Sequence, residues 1–463
     1  MIKVYLDWNV MAQMKGGFQN DLLTILSNKE RFFIPYSTSH IGDILSSFSE
    51  DIEQKERIEK DLEFITDITE NYCLSNSGKD IVINQSNPKL LFQDRVDNMG
   101  FMTNFSLDAL EKTLSENELT KGIGKTLITL LKSISVDFLT KDIYNNPESK
   151  NSINQIFPGL EENPTMDGLF KSFGQMYQNL NETEDYKKLR ETTQKGLGIN
   201  RDKIYNNENP YSIIDLAHDK FKFEIDSHID NSKNAPEWYN KITNEYLMLD
   251  MHGYQEDNVK VKPNKRKETF KNTTEDSFHC AFASTCNFYI INDNKSYNKT
   301  KQVYKRLCIN TIVFKPNEFI EYYNNFLNVK NTETHINLLF GILESSNFSE
   351  YLDEKSFQKT YVIPYFIFDI FNKVVVVQPA NNDKSFIYLS KYSPTNGNYT
   401  HSIEIKNLVK LLNTHFGVDI KSQGDVLDEE LTTENWEGRI WKVNDIQLRL
   451  ILLNGYLQLY FDL

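Results

Sequence analysis

Nowhere in the chain do apolar residues run uninterrupted for the 18 or so positions that a spanning helix needs, and the mean hydropathy is -0.52. A membrane-embedded protein is therefore not expected. Cysteine is scarce: four residues, Cys73, Cys280, Cys286 and Cys308, with no CxxC among them. That pattern suits reduced thiols packed as small apolar groups, not a zinc site or a disulfide framework. Glycine (19) and proline (12) are few, so a collagenous, low-complexity or disordered chain is excluded. No repeat of constant period runs through the chain. Met1 to Asp7 meets a carboxylate after a few apolar positions and lacks the apolar stretch and cleavage site of a signal peptide, so a cytoplasmic location is expected.

What the sequence does have is length and acid. Its 463 residues allow two or three domains and an ample core. Hydrophobic residues make up 39% and charged residues 25%, a globular composition. Acidic residues outnumber basic ones, 65 to 51, for a net charge of -14 and a pI near 5.2. Broad adhesion to nucleic acid does not fit such a balance, although a local basic stripe can still guide a phosphate backbone into one groove.

The first stretch reads as β-α-β-α: Lys3 to Leu6 a strand, Asp21 to Leu26 helical, Phe32 to Ile34 a strand, Ser37 to Leu45 a helix start. The same rhythm returns far downstream, with a helix over Glu275 to Cys286, a strand at Phe288 to Ile291, a helix over Ser296 to Leu307, a strand at Thr311 to Phe314, and a helix opened by Pro316. The two stretches read as halves of one parallel sheet. Between them, residues 49–267 read as mostly helical, for example where Ile52, Ile58, Leu62, Ile65, Ile68 and Tyr72 recur near helical spacing, and again from Leu127 to Leu139. After residue 330 the text becomes α+β and ends in alternating runs around Asn454-Gly455, a two-residue hairpin signal. The expected fold class is α/β, a parallel sheet flanked by helices (1–48 and 268–330), interrupted by the insertion (49–267) and followed by a C-terminal α+β domain (331–463).

Acids mark the ends of the strands. Asp7 follows the first strand, with Asn9 behind it, and Asp293 follows the strand at Ile290-Ile291, so both belong at the carboxyl edge of the sheet, where open α/β folds place their sites. Asp43, after Tyr36-Ser37-Thr38-Ser39-His40-Ile41-Gly42, and Asp276, in Glu275-Asp276-Ser277-Phe278-His279, lie on helices leaving that edge. Four carboxylates in one cleft repel one another and call for a divalent cation; oxygen ligands of this kind select Mg²⁺ or Mn²⁺.

These four segments, in this order and on these elements, resemble the PIN-domain nuclease family; Ile309 to Phe319, a strand followed by Pro-Asn-Glu-Phe, is similar to the end of that fold. The resemblance covers about a quarter of the chain. It implies a metal-dependent ribonuclease with Asp7, Asp43, Asp276 and Asp293 as catalytic ligands and Asn9 in support of the first. The chain departs from the family pattern in having Asp43 where Glu is more usual, and in the length between Asp43 and Asp276.

His40 and His279 each stand three residues from one of these acids and are supporting candidates, against the reading of histidines bonded to backbone in the core. Glu275 reads as a helix-start charge. Two basic runs, Lys260, Lys262, Lys265, Arg266, Lys267 and Lys271, then Lys295, Lys299, Lys301, Lys305 and Arg306, flank the same cleft and are candidates for nucleic-acid contact, against the reading of solvated faces. Three features carry no chemistry: Gly122 to Thr126 lacks the first glycine of a phosphate loop, His218 and His228 fit no metal spacing, and Trp238, Trp436 and Trp441 read as core or interface.

The expected function is a cytoplasmic Mg²⁺- or Mn²⁺-dependent endonuclease acting on RNA rather than DNA, with a size that suits a stress or phage-defence effector gated by its extra domains. The C-terminal domain would take a protein partner or a ligand, and an oligomer is open. Two alternatives stand beside it: a catalytically silent PIN-like scaffold mediating protein assembly, and a DNA-directed structure-specific nuclease.

Overall fold

A computed structural model describes residues 1–97, 154, 159–165, 168–169, 171–172, 175, 185–221, 235–256, 270–329, 332–344, 349–353, 358–378, 386–392, 397–431, 436–443 and 446–462. The helix expected over Leu127 to Leu139, the Gly122 to Thr126 segment, His228 and the basic residues Lys260 to Lys267 lie outside them.

β1 (Ile2–Leu6) runs directly into α1 (Trp8–Lys15), then α2 (Asn20–Leu26), β2 (Phe32–Phe33), β3 (Tyr36–Ser37) and α3 (Thr38–Leu45). The chain then makes α4 (Ile52–Thr69), β4 (Tyr72–Asn76), β5 (Ile81–Gln85) and α5 (Pro88–Asp97). Further insertion helices are α6 (Asp185–Gly196), α7 (Pro210–Phe221) and α8 (Glu237–Met251). The second half of the sheet unit is α9 (Phe270–Ala283), β6 (Phe288–Ile290), α10 (Asn294–Arg306), β7 (Ile312–Phe314) and α11 (Pro316–Tyr322), which runs on into a π-helical turn, Tyr323–Leu327.

The two halves form one parallel sheet of order β2-β1-β6-β7. Leu6 pairs with Ile290, and Ile290 with Phe314. Both faces of the central strands β1 and β6 are buried, which is why they read as apolar runs; the edge strand β7 exposes Ile312. Val4, Leu6, Phe288 and Ile290 pack with α1 to α4, whereas Tyr5, Tyr289, Ile291 and Val313 pack with α8, α9 and α10.

The insertion is not wholly helical. The helical period expected to reach Tyr72 stops at Thr69, because Glu70 (φ 52°) and Asn71 (φ 64°) turn left-handed. The chain leaves as β4, which pairs parallel to β3 and antiparallel to β5.

The C-terminal unit consists of α12 (Thr332–Glu344), β8 (Ser349–Asp353), β9 (Gln358–Ile367), β10 (Phe371–Val377), β11 (Phe386–Ser390), α13 (His401–Phe416), β12 (Arg439–Val443), β13 (Ile446–Leu453) and β14 (Tyr456–Asp462). Its seven strands pair antiparallel in the order β12-β13-β14-β11-β10-β9-β8. α12 and α13 bury Leu339, Ile342, Leu408 and Leu412 against them. Asn454 (φ 51°) and Gly455 (φ 76°) make the expected tight turn, with both central residues in the left-handed region.

This unit closes the amino edge of the parallel sheet. The Lys3 ammonium, 1% exposed, donates to the Gly397 carbonyl and lies 4.9 Å from the Tyr399 ring centre. Tyr399 bonds Thr285 at 3.0 Å, just before β6. Lys391 pairs with the buried Glu404 on α13, whose carboxyl is held well below the usual range; burial alone would raise it, and the surrounding cations win.

Candidate active site

Asp7 is the N-cap of α1. Its backbone is extended and its Oδ2 accepts the Asn9 amide N–H at 3.3 Å. The support expected from Asn9 is therefore given by its backbone; its side chain is exposed. Asp7 is 4% exposed, and its amide donates to the Ile290 carbonyl at 3.0 Å, which fixes it beside the end of β6. Burial pushes its carboxyl up to about 6; His279 opposes the shift, and the charges of Asp43 and Asp293 add to it. Asp293 ends the β6 segment as the N-cap of α10, where its Oδ1 accepts the Ser296 amide at 2.8 Å, and it is exposed. Asp276, on α9, accepts the Ser296 hydroxyl at 3.2 Å, so Ser296 spans these two acids.

α3 and α9 face each other across the same edge. His279, fully buried, donates from Nε2 to Asp43 Oδ2 at 3.1 Å, and its Nδ1 lies 2.7 Å from the Tyr5 hydroxyl. Burial would lower its pKa, but the hydrogen bond and charge of Asp43, with Asp7 and Glu275 behind, raise it above the ordinary value. As an imidazolium it donates at both nitrogens, so the Tyr5 hydroxyl accepts from it and is free to donate to Ser37 Oγ at 2.6 Å.

His40 does not serve the cleft as expected. Its Nδ1 accepts the Ser37 amide at 3.0 Å, closing a capping box at the start of α3, and its Nε2 donates to the Leu6 carbonyl at 2.8 Å. Both nitrogens are occupied by backbone, and burial lowers its pKa well below the ordinary value.

Glu275, which the sequence set aside as a helix-start charge, belongs here, as do Lys315 and Tyr5, to which it gave no role. Glu275 lies one helical turn before His279, on the same face of α9, and not at the helix start: its carboxylate fills the space above Gly42, where a Cβ would come within 2.3 Å of Oε1. Burial and the charge of Asp43 raise its pKa, against Arg95 of α5, whose Nη1 is 4.0 Å away. Lys315 stands at the end of β7 and donates to the Asn292 carbonyl at 2.7 Å; burial lowers its pKa, against the charges of Asp293, Glu318 and Asp7. Tyr5 holds His279 from near the carboxyl end of β1. The signals were the i, i+4 spacing of Glu275 and His279, and the position of Lys315 at a strand's carboxyl end.

Part of the second basic run is turned inward, while Lys301 and Lys305 stay exposed. Lys299 is fully buried and pairs with Asp250 of α8 at 3.1 Å, together with Arg190 of α6 at 3.0 Å, so it cannot contact nucleic acid. Lys295 donates to the Glu256 carbonyl at 2.8 Å, and Arg306 pairs with Asp215 of α7 at 2.8 Å. A lysine withdrawn from water needs a partner, and α10 gives Lys299 and Arg306 to the insertion helices. Of the first run, Lys271 lies near enough to oppose the rise in the Glu275 pKa that burial causes.

Among the described residues no group of three His, Cys, Asp or Glu side chains is arranged to hold a metal ion. The donor chemistry nonetheless suits a hard cation: the cleft offers carboxylate oxygens, and Glu275 Oε2 is buried without a hydrogen-bond partner. The chain matches no protein-family model, no curated protein and no solved structure at a significant level.

Proposed function

We propose that this chain is a metal-dependent endonuclease of the PIN type, with RNA as its substrate. The reading rests on the gathering of Asp7 and Asp293, at the ends of neighbouring parallel strands, with Asp43 from α3 and Asp276 from α9 on the same edge. Ligands of open α/β sheets bind at that edge. Asp7, Asp43, Asp276 and Asp293 would hold Mg²⁺ or Mn²⁺, with Glu275 as a fifth oxygen donor. When bound, such an ion supplies Lewis-acid polarisation of a phosphoryl oxygen and a more acidic water. His279 orients Asp43 through its N–H, and Tyr5 orients His279. Lys315 adds a positive charge beside Asp293 that suits a backbone phosphate. Arg95 of α5 lies 4.0 Å from Glu275 and α8 packs on α9, so substrate would reach the acids past insertion helices.

The test is cleavage of labelled single-stranded RNA in Mg²⁺ or Mn²⁺, with duplex and branched DNA in parallel. Metal-dependent cutting that is lost in Asp7→Asn and Asp293→Asn is expected. Wild-type rates in either variant would sink the assignment, and a preference for branched DNA would redirect it to a structure-specific nuclease. Two observations favour the silent scaffold: Asp43 already accepts from His279, and no ligand group is preassembled among the described residues. Calorimetric titration with Mn²⁺ decides between them, since a silent scaffold would give no heat that depends on Asp293.

A further inference from the structure

A cavity of about 660 Å³ opens at the amino edge of the parallel sheet, opposite the acids, where the C-terminal unit docks. We propose that it binds a phosphate-bearing ligand of nucleotide size. Its volume lies within the range of small-molecule sites. Its walls come from both units: Arg31 precedes β2, His335 is on α12, Phe368 and Asp369 make the β9–β10 turn, and Asn407 and Lys410 are on α13.

Hydrogen-bond donors are in surplus there. Arg31 uses Nε and Nη2 on Asp369, at 2.7 to 3.1 Å, and Nη2 also on the Leu327 carbonyl, which leaves Nη1 without a partner among the described residues. His335 is 5% exposed, and its Nδ1 accepts the Phe368 amide at 3.3 Å. The neutral ring therefore carries its proton on Nε2, which also has no partner among the described residues. Lys410 makes no ion pair among the described residues, and it is exposed at the opening. Of the carboxylates, Asp369 is spent on Arg31, and Glu30 is exposed at the rim. Unpaired donors of this kind, one of them nine-tenths buried, match phosphate oxygens. Phe368, its ring 5.7 Å from the His335 ring, belongs to the lining and offers apolar surface against which a base can pack.

The site is separate from the acidic cleft and does not depend on the nuclease reading. A ligand seated there touches both units, so its binding should raise the temperature at which they unfold.

The experiment is calorimetric titration of the full chain, in EDTA so that no metal recruits nucleotide to the acids, with ATP, pyrophosphate and adenosine. ATP should bind, pyrophosphate more weakly, and adenosine more weakly still. Lys410→Glu should weaken ATP by roughly tenfold or more, the effect of one lost charge-assisted hydrogen bond. Lys406→Glu, the same charge change on the same helix but outside the cavity lining, should leave affinity unchanged, and so should Asp293→Asn. No heat with any probe, or equal weakening by the two lysine variants, would overturn the proposal. Pyrophosphate as tight as ATP would overturn the role given to the Phe368 wall.

Discussion

Replacing Asp7 by Asn removes one negative charge from the acidic cleft while keeping the shape of the side chain and its capping oxygen, which can still accept the Asn9 amide. Burial and the neighbouring acids push the Asp7 carboxyl from 3.8 up to about 6. At roughly 1.4 kcal/mol per unit, an ionised Asp7 costs the metal-free fold about 3 kcal/mol. The folded state holds a proton that the unfolded chain releases, so the penalty is absent below pH 4, grows between pH 4 and 6, and is complete above pH 6. Asp7→Asn should therefore stabilise the protein in EDTA at pH 7, raising the melting temperature by several degrees at about 2–4 °C per kcal/mol for a cooperative unit of 150–250 residues. The gain over wild type should vanish near pH 4. Calorimetric scans of both proteins at pH 4, 5.5 and 7 measure it. A variant no more stable than wild type at pH 7, or a gain of equal size at pH 4, would refute the account of Asp7 as a destabilising charge.

Three further outcomes are expected. His279→Gln should lower stability in EDTA at acid pH and lose that effect as pH rises through the raised imidazole pKa, because the ion pair with Asp43 exists only while the ring is charged; urea midpoints across a pH series check it. Gly42→Ala should cost roughly 1–3 kcal/mol by forcing the Glu275 carboxylate aside, and the double variant with Glu275→Ala should recover most of that loss, a cycle read by chemical denaturation. Lys299→Met should cost about 3 kcal/mol, since Asp250 stays buried with one cation fewer, and should expose α8 to limited proteolysis if Lys299 ties that helix to α10.

The sheet was legible because its central strands are buried on both faces and end in acids, so Lys3 to Leu6 and Phe288 to Ile291 stand out as apolar runs closed by Asp7 and Asp293. What misled were residues whose spacing serves two structures at once. Tyr72 continues the helical period of Ile65 and Ile68, but no periodicity reports the left-handed turn at Glu70 and Asn71 that starts a strand instead. His40 shares a helix face with Asp43, yet it also stands three residues after Ser37, the spacing of a capping box, and the backbone took it. Lys299 lies in a basic run, but it is also four residues before Val303 and three after Ser296, on the stripe of α10 that faces the insertion. A buried ion pair between residues 49 positions apart leaves no local trace. Glu275 was set aside as a helix-start charge because its neighbour Asp276 fits the resemblance, while the i, i+4 relation to His279 decides which carboxylate meets α3.

The pairing of β1 with β6 bears on the order in which the protein comes into being. The Lys3 amide bonds the Asn287 side chain 284 residues downstream at 2.9 Å. At synthesis rates of 5–20 residues per second, β1 waits roughly 15 to 60 seconds for its central neighbour. Closing so long a loop adds little equilibrium cost, about 0.6 kcal/mol per doubling of length, but the delay leaves an apolar strand edge uncovered in the nascent chain. Asp7 and Asp43 cannot meet Asp276 and Asp293 until that pairing forms. A truncated translation product ending within the insertion would carry half of the acidic cleft and none of its chemistry, so production of the nascent chain is insulated from the activity proposed for the finished one.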